Sequence, residues 1–152
     1  MPILVGALML CYFNLPDNAA IHHNSSGDPD VYMDKQDFFY IAIAVIIIFN
    51  FLLNLLRTSV QKVDFAKLNP NSVWANTPKN LNELLESWFN AFIAVTNTYL
   101  AFVLLGLKRI NTTLGQKLDF NYNWLLLAGL VLLMILLFFL PIRLLFSNPS
   151  EK

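Results

Sequence analysis

Two long runs, Phe38–Leu56 and Trp88–Leu107, contain no Asp, Glu, Lys or Arg. A third, Trp124–Phe146, is almost pure aliphatic and Phe, with Gly129 inside it and Pro141 and Arg143 near its end. An α-helix rises about 1.5 Å per residue, so runs of roughly 20 apolar residues are what it takes to cross ~30 Å of hydrocarbon. In lipid a segment must satisfy its own backbone hydrogen bonds, which leaves helices as the reading for such runs. A shorter block, Pro2–Leu15, would reach only about 21 Å as a helix. It calls for local thinning, an upstream extension, or shelter by neighbouring helices.

Composition agrees. The chain is 57% hydrophobic and 13% charged, where a soluble domain would carry roughly a quarter charged residues. The expected fold is therefore an all-α integral membrane protein, a four-transmembrane-helix bundle in one domain. Its helices cover 2–15, 38–56, 78–107 and 124–146, with an outer loop at 16–37 and a cytoplasmic loop at 57–77. Met1–Leu15 has no Lys or Arg ahead of its apolar core, and Leu10 is bulky where a lipoprotein signal needs a small residue before Cys11. A short, uncleaved first helix is the simpler reading. The single cysteine excludes an internal disulfide.

Asn69-Pro70-Asn71 spells a turn, and Thr77-Pro78 a helix start, with Thr77 as N-cap and Pro78 at the first helical position. Beyond it Leu81, Leu84, Leu85 and Trp88 fall on one face, an amphipathic lead-in to the third span. Trp88 and Trp124 stand at block edges, where indoles favour the interface. Lys and Arg counts orient the chain. Arg57, Lys62, Lys67, Lys79, Arg143 and Lys152 fall on one side, Lys35, Lys108, Arg109 and Lys117 on the other. The positive-inside rule then puts both termini in the cytoplasm.

The spans are not wholly apolar. Asn50, Asn54 and Arg57 follow one side of the second helix; Asn90, Ala94, Asn97 and Ala101 follow a line on the third, with Thr98 beside it. Amides in lipid need partners, and small residues let backbones approach. Asn50, Asn54, Asn90 and Asn97 are thus expected to form a helix-packing stripe. A polar path for an ion is the weaker reading, because no acid or histidine lies within a span. The same absence leaves nothing for two-histidine haem ligation across a bundle. A net charge of zero and the lack of a basic tract give no reason to expect nucleic acid.

The most polar stretch is Leu15–Lys35, LPDNAAIHHNSSGDPDVYMDK. It holds both histidines, His22 and His23. Read for chemistry it offers no catalytic order, no phosphate loop and no zinc-type spacing, so no catalytic residue, cofactor or metal is assigned. His22, His23, Asp28 and Asp30 at most make a loose cation site. The plainer reading is a solvated turn in which Gly27 supplies the unusual backbone angle and Pro29 stiffens it. Asn24-Ser25-Ser26 and Asn111-Thr112-Thr113 fit the glycan-acceptor pattern, a triplet common by chance.

In this stretch Leu15-Pro16, His22, Gly27-Asp28-Pro29-Asp30 and Lys35 resemble the signature of a bacterial membrane domain. That domain, of unknown function, lies at the amino terminus of SdpI-type immunity proteins. Its pattern is Leu-Pro, a histidine, a Gly-Glu-Pro-Asp-Gly turn and a lysine before the next span. Here Asp28 replaces the Glu and Val31 the second glycine. Asn69-Pro70-Asn71 with Trp74 is similar to the family's Pro-Asn…Trp segment. The resemblance implies a multi-pass protein of the bacterial inner membrane with this loop outside, and marks Leu15, Pro16, His22, Gly27, Pro29, Asp30 and Lys35 as the family-motif loop.

Three functions follow from these readings. The first is a non-enzymatic accessory subunit packing against a larger membrane complex, respiratory or secretory, its partners being the bilayer and other membrane subunits. The second is a stand-alone SdpI-like immunity or sensing module using the outer loop. The third, a small transporter or enzyme subunit, is disfavoured by spans without an acid or histidine.

Overall fold

A computed structural model describes residues 1–68, 70–74, 76–118, 121–146 and 149. The expected turn at Asn69 and the terminal Lys152 lie outside the described residues. In chain order the elements are α1 (Pro2–Asn14), β1 (Asn18–His23), β2 (Pro29–Asp34), α2 (Lys35–Gln61), α3 (Phe65–Leu68), α4 (Pro78–Asn111) and α5 (Asn123–Phe146). The protein is mostly helical, and α2, α4 and α5 are long and apolar enough to cross a membrane. The helix α1 has 13 residues, about 20 Å of rise.

The segment read as a loop, 16–37, is ordered differently. β1 and β2 form an antiparallel hairpin, so the fold is not wholly α. Its turn is closed by the Asn24 carboxamide, which accepts from the N–H groups of Ser26 and Asp28. Gly27 sits at φ +81°, a conformation that L side chains rarely adopt. At the far end the Asp34 carboxylate accepts from the Gln36 N–H at 2.7 Å, the N-cap bond that lets α2 begin before the apolar run does.

Two compact units divide the chain: Met1–Ile48 with Thr96–Gly129, and Phe49–Val95 with Leu130–Lys152. In the first, α1 supplies the centre of the core. Leu4, Ala7, Leu8 and Cys11, spaced three and four apart, are buried and pack with Leu15, Ala19, Ile46, Ala101 and Leu104. Although α1 is apolar all round, only this stripe is covered; Ile3, Leu10 and Phe13 remain exposed. In the same unit a Cβ built on Gly129 of α5 would overlap the ring of Tyr99 of α4. The Tyr99 hydroxyl donates to the Leu125 carbonyl at 3.1 Å. Glycine is there for a ring to lie against the helix, a small-residue contact of the kind that orders helices in lipid.

In the second unit the lead-in to α4 behaves as its periodicity predicts. Leu81 and Leu85 are buried with Trp74, and Leu84, Phe65, Leu140 and Leu144 pack against them. Thr77 stands just before α4, its carbonyl accepting the Leu81 N–H, and its hydroxyl donates backward to the carbonyls of Val73 at 3.0 Å and Trp74 at 3.4 Å. The Trp88 indole N–H donates to the Leu136 carbonyl of α5 at 2.7 Å.

The Gly129–Tyr99 contact is testable. Gly129→Val should lower stability in detergent by about 1–3 kcal/mol, the usual cost of overpacking, and Tyr99→Phe by about 0.5–1.5 kcal/mol. Melting followed by intrinsic fluorescence measures both, and a Gly129→Val protein as stable as the parent would refute the close approach.

Candidate functional site

A hairpin of two strands is marginal alone, and its outer edges carry open N–H and C=O groups. Here the outer edge of β1 is closed by side chains arriving from almost a hundred residues away. The last residue of α4, Asn111, is buried. Its Oδ1 accepts the Ala20 N–H at 2.7 Å, and its Nδ2 donates to the Ala20 carbonyl at 3.0 Å. One carboxamide thus pairs with both backbone groups of one residue, as a neighbouring strand would. Gln116 repeats the device, with Oε1 accepting from Ala20 N–H at 2.9 Å and Nε2 donating to the Asn18 carbonyl at 3.1 Å.

Gln116 stands in a 3-10 turn, Leu114–Gln116, at φ +54°. A left-handed non-glycine residue costs free energy unless its surroundings hold it. The holding groups are visible: both atoms of its carboxamide are bonded to β1, and its carbonyl accepts from His23 Nε2 at 2.7 Å. That bond assigns the proton of His23 to Nε2. Further along, the Leu118 N–H donates to the Gly27 carbonyl at 2.9 Å. A Cβ on Gly27 would approach the Leu118 carbonyl to 3.3 Å, so glycine serves both the turn and the docking. Lys117 Nζ meets the Asp28 carboxylate at 2.6 Å. Hydrogen bonding and charge from Asp28 raise the Lys117 pKa above the usual 10.5. A raised lysine pKa contributes its stabilisation in full below that usual value and loses it as pH climbs through the raised one. For so exposed an ion pair the contribution is small.

His22 and Asp30 come together. Between the pairs Ala20–Tyr32 and His23–Pro29 each strand advances by three residues, so the register is the same at both ends. That register sets His22 across from Asp30, although a local irregularity turns the His22 backbone toward Val31. His22 Nδ1 lies 2.6 Å from Asp30 Oδ1. The carboxylate fixes the ring so that its other nitrogen faces outward. With the His22 side chain 65% exposed, the pair lacks the enclosure that makes such dyads effective acid–base catalysts. The two adjacent rings diverge to different partners. Among the described residues no group of three or more His, Cys, Asp or Glu gathers as a metal site.

The other motif residues take structural positions. Leu15 is buried in the first unit's core, and Pro16 and Pro29 are half-buried at the hairpin's ends. Lys35 lies over the Tyr12 ring, 4.9 Å from its centroid, and its N–H donates to the Asp17 carbonyl. Asn111 and Asn24, the asparagines of the two glycan-acceptor triplets, both spend their side chains on backbone bonds. Asn111, moreover, is enclosed.

The polar stripe is divided. Asn50, Asn54 and Asn90 belong to the second unit and Asn97 to the first; Asn50 and Asn97 are buried. Asn54 Nδ2 donates within its own helix, to the Asn50 carbonyl at 2.8 Å. In the second unit α2 and α4 are tied by Arg57, which donates to Asn90 Oδ1 at 3.0 Å and to Glu86 Oε1 at 2.5 Å. Glu86 escapes a search confined to the charge-free runs, yet it sits four residues before Asn90 on the same helical face. Asn111 and Gln116 escape it for another reason: nothing local links them to Ala20.

Comparison with protein-family models, curated proteins and solved structures finds no match to this chain.

Removing the Asn111 clamp gives a direct test. Asn111→Ala leaves the buried Ala20 carbonyl without its partner and the Ala20 N–H with Gln116 Oε1 alone, and should cost about 1–3 kcal/mol. Proteolysis should then cut within residues 18–34 first. Asn111→Asp retains the acceptor but loses the bonds that Nδ2 donates to the carbonyls of Ala20 and Leu107, and should fall between parent and alanine variant. Equal resistance of all three to protease would contradict the clamp.

Proposed function

We propose that this chain is a non-enzymatic subunit of a larger bacterial membrane complex, respiratory or secretory, and that it works by packing. In this reading it is a four-helix membrane bundle of the inner membrane. The hairpin lies outside, and both ends of the chain lie in the cytoplasm, where the larger share of Lys and Arg falls.

The observation that carries the reading is α1. Its uncovered face is large and apolar: Ile3 is 70% and Phe13 73% exposed. A neighbouring membrane subunit packed on that face would cover it. The helix-packing role for Asn50, Asn54, Asn90 and Asn97 fits the same reading, with two of these amides buried.

A second reading has its own support. The exposed His22–Asp30 pair, with Tyr32 exposed on the strand of Asp30, is presented on a hairpin held by several long-range bonds. That suits an SdpI-like immunity or signal-sensing module in which the family-motif loop meets a peptide. The transporter reading gains no support from these contacts.

Solubilisation in a mild detergent, followed by native separation and identification of co-migrating membrane proteins, separates the readings. The subunit reading expects defined companions. It also expects Leu10→Ala with Phe13→Ala to weaken their association several-fold while insertion is unchanged. His22→Ala with Asp30→Ala should leave those companions in place. A small particle that runs alone, together with loss of signalling in the His22/Asp30 variant, would replace the subunit by the sensor.

A further inference from the structure

In the first unit a cleft of about 540 Å³ opens between the hairpin turn and the segment that leads into α5. That volume falls in the usual range for a small-molecule pocket. His23, Asn24, Ser25 and Ser26 line one wall, and Asn121 and Asn123 the other. The walls are tied together, since the Leu118 N–H donates to the Gly27 carbonyl and Lys117 pairs with Asp28. The opening is therefore a fixed feature of the docked hairpin.

The atoms already committed decide what the cleft can take. Asn24 Oδ1 accepts from the turn N–H groups, and Asn121 Oδ1 accepts from the Asn123 N–H at 2.8 Å. The Nδ2 groups of both, the Ser25 and Ser26 hydroxyls and the whole Asn123 carboxamide bond to no other protein group among the described residues. His23 spends Nε2 on the Gln116 carbonyl, which leaves Nδ1 of the neutral ring as an acceptor. Tyr122 is already partnered, and its contribution is its ring, packed at Gly106 of α4. With Leu118 that ring makes the apolar part of the lining. None of the described lining residues is an acid, lysine or arginine, so a charged ligand would find no counter-charge there. Ligand pockets are mostly apolar with a few polar groups; this one is mostly polar, and its ligand must be so too. Hydroxyl groups, which both donate and accept, complement carboxamides and serine hydroxyls. A peptide also carries amides, but it draws its specificity from recesses for its side chains, and the described walls provide none.

The geometry points to this cleft as a binding site for a neutral saccharide, free or as the headgroup of a glycolipid. Ser25, Ser26 and Asn123 meet its hydroxyls from the two walls, and Leu118 and the Tyr122 ring meet the apolar face of the sugar. Asn123 opens α5, so the cleft stands beside the start of an apolar helix and a lipid-borne sugar has a route to it. A membrane subunit and a stand-alone sensor can both carry such a site, so the assignment rests on neither reading of function.

The test uses the full chain in phosphatidylcholine nanodiscs prepared without glycoside detergent. Saturation-transfer NMR with maltose, lactose and diacetylchitobiose reads binding of a free saccharide. Native mass spectrometry of discs doped with diglucosyl diacylglycerol reads the lipid-borne form. Saturation should pass to at least one disaccharide, or the glycolipid should be retained over phosphatidylcholine, and which of the two occurs identifies the source. Ser25→Ala with Ser26→Ala should weaken binding about tenfold, the scale of losing two neutral hydrogen bonds, and Asn123→Ala several-fold. Melting temperature should stay at the parent value in both, because the side-chain groups removed bond to no described protein group. Ser59→Ala, in the second unit, should leave binding unchanged. No transfer to any disaccharide together with no retention of the glycolipid overturns the proposal without any variant. Binding that survives both cleft variants overturns it too, as does an equal loss in Ser59→Ala. Glucuronate bound more tightly than the neutral sugars would contradict the uncharged lining. Displacement of the saccharide by acetyl-trialanine amide would make the cleft a peptide site instead.

Discussion

The pairing of the Asn111 carboxamide with both backbone groups of Ala20 is the constraint on which the polar end of the first unit depends. A two-stranded hairpin is at best marginally stable in water, and β1 would present an open edge. Two amides, from the end of α4 and from the turn behind it, stand in for a third strand. From that follow the left-handed Gln116, the seating of His23 on its carbonyl and the approach of Leu118 to Gly27. Residues 17–28 are thereby held against 111–118, which joins the hairpin to the end of α4 within the first unit.

The helices were legible in the residues because their cause is local. Charge-free runs in 38–56, 88–107 and 124–146 have one physical solution, and the structure places α2, α4 and α5 over them. Pro78 opening a helix and Gly27 turning a chain are equally local, and both are as expected. The helices run further than the apolar blocks: Asp34 caps α2 early, and α4 continues past its block to Asn111. Caps are a matter of one side chain and one N–H, which composition does not see.

The hairpin was not legible. Asn18–His23 and Pro29–Asp34 hold few β-branched residues and no clean alternation, so they read as a polar loop. They become strands because partners more than ninety residues away complete the edge. The His22–Asp30 pair shares that origin: both residues drew notice in the motif, but only the strand register explains why they touch. Arg57 is the counterpart in the second unit. Its place on a helix face was visible; that Glu86 and Asn90 would be its partners depended on how α2 and α4 pack.

The polar groups thus fall into two uses, those consumed in holding the chain together and those turned outward on a rigid support. Asn111, Gln116, Asn54 and Arg57 belong to the first, and His22 with Asp30 to the second. Amide hydrogen exchange at Ala20 in the detergent-solubilised protein tests this division most directly. Its N–H points away from β2, so in an unclamped hairpin it would face water. The clamp predicts slow exchange at Ala20, which Asn111→Ala accelerates while the helices α2 and α4 stay protected. Fast exchange at Ala20 in the parent protein, as fast as at the exposed Ser25 of the turn, would contradict it.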